Sequence, residues 1–371
     1  MNMEASTTQR IPRLTPLRDV LASVERLAQP VAPRRIALAD AHGRVLAGDL
    51  SARPTPPRAI ALRDGWAVRS VLTLDASAYA PVAIMPAPVR VDVGDALPPE
   101  ADAVAPFDAV IMRDEAADVL APVTPGEGML AAGEDGRWDV ALGRAGARLR
   151  GIDVALLRAA GIAESYFHEP RIRVVRTASG SEHLDATAEM IARAIHSDGG
   201  AVTQSSGDLA DALRSEASDS VVAIGGTGTG RRDASVRTLS QVGRVEIHGM
   251  GISPGETAAL GAVGARAVLL LPGRLDAALA VWLLVGRPLL ARLTGATDDQ
   301  RGVTVTLARK IASALGFAEV VPVRRGEGGV EPLASGHLPL HALARADGYV
   351  VVPPDSEGFA AGASVEMRPL P

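Results

Sequence analysis

Apolar positions follow two different rhythms along this chain. Near the N-terminus Leu17, Val20, Leu21, Val24 and Leu27 recur every three or four residues, which predicts an amphipathic helix. Thr15 stands where a cap would sit, Pro16 suits a first turn, and Pro30 ends the pattern. Over residues 54–140 the rhythm breaks into short Val, Ala and Ile runs, such as 81–85 and 89–93. Pro54, Pro56, Pro57, Pro81, Pro86, Pro88, Pro98 and Pro99 punctuate them, and that texture predicts a small all-β lobe. A short helix around 155–157 follows, ended by Gly161.

From Arg171 strand-like and helix-like segments alternate. Strands are expected at 171–175, 201–204, 220–224, 244–248 and 267–271, and helices at 186–196, 208–217, 231–242 and 275–293. Asp208 is placed to cap the second of these helices and Pro288 to kink the last. Repeated βα units predict a parallel or mixed sheet covered by helices. The polar stretch 297–301 reads as a linker, after which 303–307, 319–323, 349–352 and 364–367 return to a β texture between glycine turns. The expected fold class is multi-domain α/β: β-rich N-terminal lobes, a central α/β domain and a small C-terminal β-barrel.

Composition narrows the function classes. A chain of 371 residues predicts two or three domains. Aromatics are only 3%, so Ala, Val and Leu must fill the cores. A net charge of −5 argues against a nucleic-acid partner. Cysteine is absent, which removes disulfides, thiolate nucleophiles and iron–sulfur clusters. Lys310 is the only lysine, so amine chemistry has one candidate. Residues 1–16 lack the apolar core of a signal peptide, and the apolar runs 267–272 and 277–286 are too short to span a bilayer. The expectation is a cytoplasmic protein with no membrane partner. His337 and His341 are four apart, but in a segment read as β, where that spacing does not build a metal site.

The segment richest in chemistry is 220–233. An apolar strand leads into Gly225, Gly226, Thr227, Gly228, Thr229 and Gly230, and Arg231, Arg232 and Asp233 then enter a helix. A glycine-rich turn between strand and helix lets backbone N–H groups approach an anion, with the helix N-terminus adding positive charge. No Gly-Lys-Ser/Thr follows, so this is not a Walker A loop. Two further turns, Ser253-Pro254-Gly255-Glu256 and Leu271-Pro272-Gly273-Arg274, follow later strands. If the strands are neighbours, all three turns converge on one sheet edge and form a pocket.

In this order the three turns resemble the molybdopterin molybdotransferase family (MoeA and the E domain of gephyrin). The family's Gly-Gly-Val-Ser-x-Gly-x-x-Asp is similar to residues 225–233, and its Pro-Gly-Asn-Pro to Pro272-Gly273-Arg274-Leu275. Upstream, Ala61-Leu62-Arg63-Asp64-Gly65-Trp66-Ala67 resembles Ser-Ala-Met-Asp-Gly-Tyr-Ala, and Gly133-Glu134-Asp135 matches Gly-Glu-Asp. Val93-Gly94-Asp95-Ala96-Leu97-Pro98 echoes Thr-Gly-x-x-x-Pro, and Ser179-Gly180-Ser181-Glu182 is a blurred Thr-Gly-Asp-Glu-Leu. The likeness runs from about Thr15 to Pro371.

The resemblance implies four domains: residues 12–53 with 141–170, an inserted β lobe at 54–140, an α/β molybdopterin-binding domain at 171–297, and a C-terminal β domain at 298–371. It also implies a homodimer and molybdenum cofactor biosynthesis, in which AMP is released from adenylylated molybdopterin as molybdate is ligated, with Mg²⁺. By resemblance Asp64, Glu182, Asp208 and Asp233 become catalytic candidates, with Asp135 retained beside them. Asp64 and Asp233 become candidate metal ligands. Gly225 to Arg231, Ser253, Pro254, Gly255, Pro272, Gly273 and Arg274 become ligand-binding candidates.

The departures are as informative. The family's Lys-Pro-Gly-Lys is Ser253-Pro254-Gly255-Glu256 here, so two cations are lost and an anion gained where a dianion would bind. Arg63, Arg231, Arg232 and Arg274 are the cations available to compensate. Two readings follow: a transferase using arginines, or a degenerate relative that binds molybdopterin or finished cofactor as carrier or insertion partner for a molybdoenzyme.

Overall fold

The computed structural model describes residues 9–51, 53–178, 181–297 and 302–371. By its internal contacts the chain divides into two compact units. One comprises residues 49–144 and 151–163, the other residues 1–48, 145–150 and 164–371.

The unit of residues 49–144 and 151–163 is built from short antiparallel strands. Gly65–Val68 lies between Val89–Val91 and Ala103–Ala105, and Ala116–Val119 lies between Val82–Ile84 and Val110–Arg113. Its core is small-residue, with Val68, Ala103, Ala105, Ala117 and Val119 buried. The scarce aromatics are used as a pair here: Trp66 meets Phe107 edge-on at 5.8 Å, and Arg90 stacks on Phe107 at 4.9 Å. The unit also contains the helix Gly151–Ala159, longer than expected.

The larger unit is centred on a six-stranded mixed sheet. Its strands are β1 (Arg171–Arg176), β2 (Ala201–Ser206), β3 (Ser220–Ile224), β4 (Arg244–His248), β5 (Ala259–Val263) and β6 (Arg266–Leu271), in the order β2-β1-β3-β6-β5-β4. β1, β2, β3 and β6 run parallel, while β5 and β4 are antiparallel additions. Strands buried on both faces need continuous apolar runs, and β3 and β6 meet this with Val221, Val222, Ile224, Leu269 and Leu271, all 2% exposed or less. β5 was absent from the sequence expectation. It pairs with β6 through the tight turn at Gly264, whose φ is +60°.

Helices α1 (Leu17–Leu27), α2 (Glu182–Ser197), α3 (Leu209–Arg214), α4 (Ser235–Val242) and α5 (Leu275–Thr294) accompany the sheet. α1 has Pro16 at its N-cap, and Thr15 does not cap it. Thr15 instead bonds through its backbone to Gly249 and Gly251. α5 does not simply kink at Pro288: the stretch Trp282–Gly286 takes π-helical form just before the proline, which absorbs the missing N–H. At 20 residues α5 exceeds the expected apolar run and is long and apolar enough to cross a bilayer. Most of it is buried in the protein core, which makes it the central core helix.

The C-terminal β part surrounds Ala318–Gly326, paired with Gly329–Pro332 and Gly348–Val352, over a core of Val321, Val323, Val330, Val350 and Val352. His341 falls in the short helix Leu340–Leu343 rather than in a strand. The 297–301 linker reading and the Ser179-Gly180 match fall mostly outside the described residues.

Candidate functional site

A cleft of about 650 Å³ opens at the carboxyl ends of the four parallel strands. β1 lies between β2 and β3, so the chain leaves β1 toward one side and returns on the other. The connections from the two strands therefore diverge and leave a crevice, the usual ligand position in open α/β sheets. Thr177 after β1 and Gly225 after β3 form its floor, and Thr177 donates through both N–H (3.2 Å) and Oγ1 (3.1 Å) to the carbonyl of Ile224.

The glycine loop is shaped by backbone need at two positions. Gly225 and Gly226 have φ of +98° and +71°, where side chains are strained. Gly228 is constrained differently: a methyl group there would lie 2.8 Å from Asp233 Oδ2. That carboxylate accepts from Gly230 N–H at 2.8 Å and closes the loop. α4 consequently begins at Ser235, four residues later than its sequence pattern implied.

The N-terminus of α4, expected to face the anion, is spent inside the protein. Ser235 N–H bonds Gly226 O at 3.0 Å, while Val236 and Arg237 N–H donate to Gln9 Oε1 at 2.8 and 3.0 Å. Gln9 Nε2 donates in turn to Gly226 O (3.0 Å) and Gly228 O (2.9 Å). Gln9 is only 8% exposed and clips the loop onto the helix. The N–H groups of Gly226, Thr227, Gly228 and Thr229 have no acceptor among the described residues. A second source of donors is the start of α2, whose Ser181, His183 and Leu184 line the cleft and whose N-cap makes no side-chain bond.

The candidate residues divide. Gly225, Gly226, Thr227, Gly228, Asp208, Asp233, Pro272, Gly273 and Arg274 all line the cleft, as does Arg232. Thr229, Gly230 and Arg231 are exposed on the loop but outside the lining, and Glu182 stands exposed at the first residue of α2. Asp208 caps α3, accepting from Ala210 N–H at 2.8 Å. Thr227 is buried, with its Oγ1 2.9 Å from Thr257 Oγ1 and its carbonyl 3.0 Å from His248 Nε2.

The expected convergence of three turns is reduced to two. Ser253, Pro254 and Gly255 do not line the cleft, and only Thr257 beyond them reaches it. The reason is packing: Ser253 pairs with Glu319 of the C-terminal strand, and Gly255 lies against Val281 of α5. Glu256 Oε2 folds back onto Gly255 N–H at 3.1 Å.

Asp64 and Arg63 belong to the other unit. Asp64 Oδ1 accepts from Val93 N–H at 2.8 Å, and Arg63 braces Val104 O (2.8 Å) and Glu127 (3.0 Å). Asp135 is exposed in that unit as well.

Charge in the cleft is close to balanced. Arg274 is forked onto Asp276 at 3.1 and 2.6 Å, and its Nη2 lies 2.7 Å from His337 Nδ1. Burial pushes the Asp276 carboxyl up, but the bonds from Arg274, His337 and Leu338 N–H outweigh it and hold the group below the ordinary value. Arg232 makes no ion pair among the described residues and is the cation best placed to meet an oxyanion. No cluster of three or more metal-binding side chains exists among the described residues. The two acids lining the cleft, Asp208 and Asp233, suit Mg²⁺, which is commonly held by one or two carboxylates with phosphate oxygens and water.

Known proteins resemble the chain along most of its length. The MoeA N-terminal region (domains I and II) matches residues 15–161, a probable molybdopterin-binding domain matches 178–292, and the MoeA C-terminal region (domain IV) matches 304–370. The chain is 28% identical to molybdopterin molybdenumtransferase 1 of Mycobacterium tuberculosis, across 92% of this chain and 96% of that one. A protein of Methanocaldococcus jannaschii named for molybdopterin biosynthesis is 25% identical over 90% and 91%. The solved MoeA protein of Pyrococcus horikoshii superposes with a TM-score of 0.75 and 26% identity, covering 97% of this chain and all of that one.

Proposed function

This chain belongs to the MoeA family and to molybdenum cofactor biosynthesis, and on that premise we propose that it inserts molybdate into adenylylated molybdopterin with release of AMP. The reading rests above all on the glycine loop, whose Gly225, Gly226, Thr227 and Gly228 line a cleft of about 650 Å³ at the switch between β1 and β3. The N–H groups of Gly226, Thr227 and Gly228, unpaired among the described residues, suit a phosphate, and the start of α2 adds positive potential.

In this reading the loop and α2 hold the phosphates of the pterin nucleotide, Arg232 meets the incoming oxyanion, and Thr177 and Thr227 fix the loop floor. Asp208 and Asp233 would hold Mg²⁺, which when bound neutralises phosphate charge as AMP leaves. Asp64 and Glu182 stay proposed participants through family resemblance. The proposal includes a cytoplasmic homodimer, the four-domain division of residues 12–53 with 141–170, 54–140, 171–297 and 298–371, and a molybdoenzyme as eventual recipient.

One observation favours a second reading, that of a binding protein without transfer. Arg274 is already paired with Asp276, and the lining acids Asp208 and Asp233 offset Arg232, so little cationic surplus remains for a dianion. AMP release by the purified protein with Mg²⁺, over a molybdate titration, separates the two. Molybdate-dependent turnover supports transfer. Nucleotide binding without release supports the holder, and neither binding nor release overturns both.

A further inference from the structure

Arg274, which lines the cleft at the Pro272 turn, shares one carboxylate with a second group that can become a cation. That carboxylate is Asp276, in the first turn of α5 and 6% exposed, whereas the Arg274 and His337 side chains are each 64% exposed and open to solvent. Arg274 Nη2 lies 2.6 Å from Asp276 Oδ2 and 2.7 Å from His337 Nδ1. His337 Nδ1 lies 2.9 Å from the same Oδ2. Arg274 Nε completes the fork on Oδ1 at 3.1 Å, and Leu338 N–H reaches Oδ2 at 3.3 Å.

The stretch that carries His337 is pinned. Glu319, 3% exposed, accepts from Ser335 Oγ and Gly336 N–H through one oxygen, both at 2.6 Å, and from Ser313 Oγ at 2.5 Å through the other. The imidazole is therefore set against Arg274 and Asp276 by its backbone. These two are the charged groups it contacts, and its Nε2 makes no hydrogen bond among the described residues.

Three polar atoms so arranged pair differently in the two protonation states of His337. A neutral imidazole with a bare Nδ1 accepts the second Nη2 hydrogen, and Arg274 sits in three bonds. A protonated imidazole carries a hydrogen on both nitrogens and can accept nothing. It donates to Asp276, while Arg274 loses one bond and faces a like charge at the Nδ1 position.

We propose that His337 is a positioning residue for Arg274: neutral, it keeps the guanidinium latched on Asp276; protonated, it takes Asp276 as its own partner and frees the guanidinium to meet an oxyanion in the cleft. The inference rests on the cleft being the oxyanion site of the proposed function. Protonation takes the trio from zero net charge to a single positive charge. Anion affinity in the cleft therefore rises as pH falls through the range where histidine titrates, about pH 8 to pH 5.

Sulfate is the probe, a tetrahedral dianion with no proton equilibrium of its own in that range. It is titrated calorimetrically into the full-length protein at about pH 8 and about pH 5.5, at one low ionic strength. Wild type should bind about threefold to fivefold more tightly at the lower pH, the size of one exposed ion pair. His337→Asn keeps an acceptor near the Nδ1 position and takes up no proton. It should match wild type at the higher pH and lose most of the gain at the lower one, whereas a merely structural role would cost affinity equally at both. Arg274→Gln should weaken binding more at the lower pH than at the higher. The other ionisable groups at the cleft, His183, Asp208, Arg232 and Asp233 in its lining and His248 on the Thr227 carbonyl, are unchanged in these variants. His337→Gln replaces the first variant if that one lowers the thermal midpoint. Equal pH ratios in wild type and the His337 variant, or an Arg274→Gln loss independent of pH, would overturn the latch while saturable sulfate binding upholds the cleft as an oxyanion site. No saturable binding at either pH would overturn both.

Discussion

Replacing Gln9 by leucine tests whether one side chain sets the geometry of the glycine loop. Gln9 donates to the Gly226 and Gly228 carbonyls and accepts from the Val236 and Arg237 N–H groups, all at 2.8–3.0 Å. Leucine of similar size keeps the packing and removes all four bonds. Val236 N–H is then buried without an acceptor, a cost of about 1–3 kcal/mol, and α4 loses its cap, about 1 kcal/mol. Water can replace part of the rest near the cleft, so the net loss should be about 3 kcal/mol. At roughly 2–4 °C per kcal/mol the thermal midpoint of the larger unit should fall by about 6–12 °C. Ligand affinity should fall with it, because the loop amides are no longer preset. Calorimetric unfolding of both proteins measures the first effect. A loss under about 0.5 kcal/mol, the size of an ordinary surface substitution, would refute the clip.

Asp208→Ala should destabilise by about 1 kcal/mol through loss of the α3 cap, and it should also raise the Mg²⁺ concentration needed for AMP release. Unfolding and a metal titration separate the two effects. Asp276→Asn addresses pH. The folded Asp276 carboxyl lies below its unfolded value of about 3.9, so the stabilisation is complete above that value and fades as pH falls through the lower folded one. The variant should lose stability at neutral pH and show a shallower decline between about pH 5 and pH 2 than wild type, read by urea unfolding at each pH. Parallel acid profiles would contradict the assignment.

Much of the alternation of strands and helices after Arg171 was legible because many of the apolar runs are bounded by glycine, proline or a capping acid. Ser220–Ile224 and Arg244–His248 match their expected limits. β5 was not legible, since residues 259–263 continue a glycine-rich stretch and only pairing with β6 makes them a strand. The extent of α4 was misread because Asp233, which looks like part of a helix start, is spent on Gly230.

Local sequence pointed to the glycine loop and the Pro272 turn, and both line the cleft. It could not reveal Gln9, 217 residues from the loop carbonyl it bonds, nor Thr177 and Thr257, whose roles depend on strand order. It also placed Ser253 to Gly255 in the pocket by order along the chain. Their pairing with the C-terminal strand, a long-range contact, turns them elsewhere.

The most direct test of the central claim is equilibrium binding of adenylylated molybdopterin to wild type and to Gly226→Ala. Gly226 has φ of +71°, and a methyl group there would collide with Ser235 Oγ, so the variant must displace the loop amides. The account predicts micromolar or tighter binding by wild type and a loss of about tenfold or more in the variant, as two neutral hydrogen bonds are misplaced. Equal affinity in both proteins would contradict the assignment of the loop as the phosphate cradle, and no binding by wild type would contradict the cleft itself.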